Sequence, residues 1–125
     1  MATKPSPGTT DPKIELTSVP ALGSYLHLKG SVKDVDAARV RVAVYIRVHG
    51  GWWNKPYWET PASVVQPDGT FSVDITTGGR DEEASDNAVF LIAEDYHPPG
   101  VRGEADLPTD VIEKALARAD VTRTT

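Results

Sequence analysis

Apolar and polar residues alternate in short runs along most of this chain. The longest run places Val40, Val42, Val44, Ile46 and Val48 on one side and Arg39, Arg41, Ala43, Tyr45, Arg47 and His49 on the other. A period of two is that of a β-strand with one face in a core, so this run predicts a strand over 39–49 with the valine side buried. Shorter alternations predict further strands. Ile14 and Leu16 mark the first, closed by Val19-Pro20. Between Ser24 and Val32, Leu26 and Leu28 face one way and Tyr25, His27 and Lys29 the other, with a bulge expected at Gly30. Ser63–Val65 leads into the turn Pro67-Asp68-Gly69, after which Phe71, Val73 and Ile75 alternate with Ser72, Asp74 and Thr76. Ala88–Ala93 is apolar on both sides, which predicts a strand at the centre of the domain.

Helical spacing occurs once. Positions 111, 112, 115 and 116 form one apolar stripe, and Thr109 or Asp110 can cap it, with Glu113 at capping-box spacing from Asp110. This predicts a short helix over Val111–Arg118, followed by an edge strand at Val121 and Thr122. Six to eight strands with turns between them, no intervening helices and one small helix predict an all-β chain. Its expected form is an antiparallel Ig-like or fibronectin-like two-sheet sandwich with one short helix near the C-terminus, a small barrel being the alternative.

Composition narrows this picture. A length of 125 residues with 39% hydrophobic residues fits one core and one domain, expected over 13–125. Residues 2–12 are mostly proline, threonine, serine and glycine without a large apolar side chain, so 1–12 is expected to be a flexible linker to something N-terminal. A net charge of -5 with no basic stripe argues against nucleic acid as a partner, and Arg39, Arg41 and Arg47 are expected to form a solvated face. No apolar run approaches the ~18 residues that span a bilayer, so no membrane partner is expected. No signal peptide is visible. The absence of cysteine removes disulfides, thiol catalysis and cysteine zinc sites.

Catalytic signatures are missing too. There is no Gly-x-Ser-x-Gly elbow, phosphate-binding loop or dinucleotide fingerprint. His27, His49 and His97 are too far apart for a two-histidine metal motif on one element. Asp74, Glu94 and Asp95 could supply the two carboxylates of a glycosidase, but nothing in their spacing singles them out. The acidic cluster Asp81, Glu82, Glu83 and Asp86 lacks the alternation of a calcium loop and reads as a solvated loop or helix start. No catalytic residue, metal or cofactor is therefore expected.

One segment does carry chemistry. Between Gly50 and Pro61 lie all three tryptophans, Trp52, Trp53 and Trp58, together with Tyr57, interrupted by two glycines and two prolines. Neighbouring side chains of an extended segment face opposite ways, so Trp52 and Trp53 should split between inside and outside. An unbroken strand would put Trp58 on the side of Trp52, although Pro56 interferes with that register. Such rings either plug a core or form a flat surface on which the apolar face of a sugar can stack, with Asn54, Lys55, Arg47, His49, Glu59 and Tyr57 as adjacent polar groups.

The run Val44-Tyr45-Ile46-Arg47-Val48-His49-Gly50-Gly51-Trp52-Trp53-Asn54-Lys55-Pro56 resembles small β-sandwich accessory modules of bacterial secreted carbohydrate-active enzymes. So do Asp68–Gly79 and Tyr96-His97-Pro98-Pro99, and the similarity covers roughly residues 14–123. The resemblance implies a non-catalytic, extracellular module tethered to a catalytic domain and binding polysaccharide or oligosaccharide. It assigns no binding residues. From the aromatic ribbon itself, the expected ligand-binding set is Trp52, Trp53, Trp58, Tyr57, Asn54, Lys55, Arg47 and His49. The alternatives are an Ig-like structural spacer with its tryptophans buried, or a protein-interaction domain using the same patch.

Overall fold

The computed structural model describes residues 12–123, which form two antiparallel sheets and a short helix. The expected linker, apart from Pro12, lies outside the described residues. The smaller sheet has the order β1-β2-β6, from β1 (Lys13–Ser18), β2 (Leu28–Lys33) and β6 (Thr70–Val73). The larger has the order β8-β4-β3-β7-β9. Its members are β3 (Val40–Val48), β4 (Gly51–Lys55), β7 (Asp86–Ala93), β8 (Arg102–Glu104) and β9 (Ala117–Thr122), and the two-residue β5 (Ser63–Val64) also pairs with β3. Helix α1 is Thr109–Lys114.

The even-numbered face of β3 faces the smaller sheet. Val42, Val44 and Ile46 pack there with Leu28, Phe71, Val73, Ile75, Val89 and Leu91, all essentially without solvent contact. The opposite face of β3 is not the solvated arginine face that alternation suggested. Ala43 and Tyr45 are completely buried in a second core with Ala88, Phe90, Ile92, Val101 and Val111. The C-terminal segment around 96–115 supplies the cover, so the central sheet is apolar on both sides. Arg39 is exposed but ends a 3-10 turn before the strand, Arg41 is half-buried, and Arg47 is exposed near the end of the strand.

Several boundaries differ from the periodicity. β2 begins at Leu28, and Leu26, expected on its buried face, is 72% exposed in the preceding loop. Gly30 is not a bulge: it pairs with both Leu16 and Phe71, and the Phe71 ring occupies the space a Cβ would need, 2.5 Å from it. The register shift falls on β1, between Leu16 and Ser18. Helix α1 stops at Lys114 because Ala117–Thr122 is taken up as a full edge strand against β7. The predicted side-chain cap is absent. Pro108 holds the N-cap position, and the Asp110 carboxylate instead accepts a hydrogen bond from the Tyr96 hydroxyl.

Candidate functional site

The aromatic ribbon begins as a hairpin. Val48 pairs with Gly51, leaving a two-residue turn of His49 and Gly50 with φ of 49° and 86°. Two consecutive positive φ values make a type I′ turn, whose twist matches the flanking strands. β4 then runs antiparallel to β3, with Trp52 opposite Arg47, Trp53 opposite Ile46, Asn54 opposite Tyr45 and Lys55 opposite Val44. β4 ends at a cis Lys55–Pro56 bond, and the chain turns through Tyr57–Thr60.

This register divides the predicted set. Trp52 and Asn54 lie on the second-core side. Trp52 is half-buried against that core. Asn54 is buried; its Oδ1 accepts the Val101 amide at 2.9 Å and its Nδ2 donates to the Tyr57 carbonyl at 3.3 Å. Its side chain is consumed in holding the 99–101 segment, so Asn54 is a structural tie and not a ligand group. Tyr45 assists, donating from its hydroxyl to the Pro99 carbonyl at 2.7 Å. Burial in this apolar layer pushes the Tyr45 phenol well above its usual value, and the nearby Tyr96 and Asp110 add to the effect. Arg47 lies beside Trp52 in a shallow depression of about 310 Å³ on the far side, 3.7 Å from Asp86 and remote from the Trp53 face.

Trp53 and Lys55 point the other way, onto the face shared with the sandwich core. The larger sheet is wider than its partner sheet, so its β4–β8 edge projects past it. There the loop 76–83 comes alongside, held by a buried ion pair. The Lys55 ammonium meets the Asp81 carboxylate at 2.5 Å and donates to Thr77 Oγ1 at 3.1 Å. Asp81 also accepts the Gly78 amide at 3.0 Å, and Thr77 donates to the Pro56 carbonyl at 2.5 Å. Both charged groups are spent on each other, so Lys55 builds the wall of the site and has no ammonium to offer a ligand.

Above this wall Trp53 remains 39% exposed and Trp58 48%. Arg102 on β8 pairs with Trp53, and its guanidinium lies 4.0 Å from the centre of the Trp58 ring. Glycines make the approach possible. A Cβ at Gly100 would fall 2.6 Å from the Trp58 ring, and one at Gly51 2.7 Å from the Gly103 carbonyl. The result is a strip of indole, guanidinium and indole, with Tyr57 exposed at its end. The proline-broken register therefore puts Trp58 with Trp53 and not with Trp52.

Two hollows flank the Trp53 ring. One, of about 460 Å³, is lined by His49, Arg80 and Gly78-Gly79. The other, of about 240 Å³, is lined by Tyr57, Trp58, Thr77 and Arg102. His49 Nε2 lies 2.6 Å from Glu83 Oε1, which fixes the imidazole at the rim.

Of the predicted set, Trp53, Trp58, Tyr57 and His49 come together around the hollows with the stem of Lys55 beneath. Trp52 and Arg47 do not join them, and Asn54 borders the smaller hollow with its amide already occupied by Val101 and Tyr57. Sequence reasoning missed Arg102 and Arg80. Arg102 sits in a three-residue strand too short to show a period, and its only signal is the glycine on either side, Gly100 and Gly103. The acidic cluster disperses: Asp81 goes to Lys55, Glu83 to His49, and Asp86 to Arg47, Ser85 and Thr122. Among the described residues, no three His, Cys, Asp or Glu side chains converge as metal ligands. No protein-family model, curated protein or solved structure matches this chain.

Proposed function

We propose that this chain is a non-catalytic carbohydrate-binding module, with the Trp53–Arg102–Trp58 strip as its platform. The observation that carries the reading is the exposure of two indoles at a rigid sheet edge, with the Arg102 guanidinium over one of them. Sugar rings present apolar C–H faces that stack on indole and hydroxyl edges that accept from arginine N–H groups. The residues that hold the strip are satisfied internally, so the surface is preformed and loses little entropy on binding. The partial exposure of Trp53 and Trp58 supports a binding surface over a spacer with its tryptophans buried.

Such a shallow site suits Kd values of about 10 μM to 1 mM, or about -4 to -7 kcal/mol. Its use would be proximity. Linked to a glycan-degrading enzyme in an extracellular setting, the module raises the effective concentration of that enzyme at a polysaccharide surface. Affinity gel electrophoresis against a panel of soluble glycans tests this. The reading predicts retardation on at least one glycan for the folded chain and its loss in Trp53→Ala. Uniform mobility across the panel, with concentration-dependent self-association in sedimentation, favours a protein-interaction surface instead.

A further inference from the structure

Resting on that reading, we infer that the site takes an interior stretch of a glycan chain, with at least two sugar subsites on opposite sides of Trp53, and not a chain end or a single sugar. The two hollows share Trp53, Lys55 and Gly78, so the indole stands between them as a ridge common to both and not as the back wall of one pocket. A ligand stacked on Trp53 is led to His49 and Arg80 on one side and to Arg102 and Trp58 on the other. Trp53 and Arg102 are cross-strand neighbours on adjacent strands, about 5 Å apart by the spacing of a sheet, and Trp58 continues the strip beyond the guanidinium. A strip of this length exceeds one pyranose ring.

The polar groups fit the same assignment. Arg102 makes no ion pair among the described residues, and with its guanidinium 4.0 Å over the Trp58 ring its N–H groups are not consumed by a carboxylate and can donate to sugar hydroxyls. Lys55, which would have drawn a carboxylate or phosphate into the centre of the site, is neutralised by Asp81. The centre of the site thus offers no free charge, and its cationic donors, Arg80 and Arg102, stand on either side of Trp53. That order matches a chain crossing the ridge ring by ring.

The test is a length series. Malto-, cello- and xylo-oligosaccharides of one to six units are titrated by calorimetry into the whole chain, and into Trp58→Ala after circular dichroism has shown it folded. For the series that binds, affinity is expected to rise at least about tenfold between one and four units and then level off, a step of about 1.4 kcal/mol. In Trp58→Ala most of the gain with length should disappear, so that the tetrasaccharide binds little better than the shortest member that binds. A monosaccharide that binds as tightly as the hexasaccharide overturns the two-subsite assignment and leaves the glycan reading standing. So does a length gain unchanged in Trp58→Ala. Absence of binding by every series, together with no retardation on any polysaccharide, overturns the glycan reading and this assignment with it.

Discussion

Asn54 and Trp53 are neighbours in sequence with opposite duties. Asn54→Ala removes the acceptor for the Val101 amide and the donor to the Tyr57 carbonyl, leaving buried polar groups unpaired. A loss of about 1–3 kcal/mol of stability is expected, read as a lower urea midpoint. Trp53→Ala should lower the urea midpoint, since more than half of the indole is buried, and in the still-folded variant should remove glycan retardation. Tyr45 gives a prediction in pH. Its phenol is held neutral by burial, so the folded state keeps a proton that the unfolded chain gives up above pH ~10. The unfolded state then binds fewer protons, and stability falls as pH rises from there. Tyr45→Phe should flatten part of that alkaline decline in thermal melts recorded between about pH 9 and 11. At this scale the sequence was partly legible. One indole in and one out followed from strand alternation at Trp52-Trp53, and the structure divides them that way. The roles of Asn54 and Lys55 were not legible, because their partners Val101 and Asp81 are distant in sequence and nothing local announces them.

At the scale of elements, the loop beside the site hangs on the Lys55–Asp81 pair, and both side chains are almost wholly buried. Lys55→Met strands a carboxylate and should cost about 3–5 kcal/mol. Combining it with Asp81→Asn should recover a large part of that loss in denaturant unfolding, since the stranded charge is removed. A second tie closes the same end of the fold. Arg123, buried at the end of β9, donates to the carbonyls of Ala84 at 2.9 Å and Glu82 at 3.0 Å. Arg123→Ala should lower stability by at least about 2 kcal/mol, because charged hydrogen bonds are lost and carbonyls are left unpaired. The alternation of β3 and the two-sided apolar run of β7 were readable because both strands are long and regular. Helix α1 was overextended because the stripe at 111, 112, 115 and 116 also fits a chain that leaves the helix at Lys114 and enters an edge strand. Pairing with β7 decides between the two, and that contact is tertiary.

For the whole molecule, one sheet carries two cores. β3 and β7 are buried on both faces, which is why alternation alone misjudged Ala43 and Tyr45 as surface. Sharing the same strands couples the cores, so tryptophan fluorescence and far-ultraviolet circular dichroism should report a single coincident transition. The mismatch in sheet width then leaves the β4–β8 edge projecting past the smaller sheet, and two glycine contacts bring its strip of indole, guanidinium and indole together. The proposed role of this edge is to be covered by a glycan. Its most direct test is affinity gel electrophoresis of the chain and of Trp53→Ala side by side across soluble polysaccharides. The parent is expected to be retarded on at least one of them and the folded variant to run freely on all. Equal mobility of the two proteins on every polysaccharide would contradict that role.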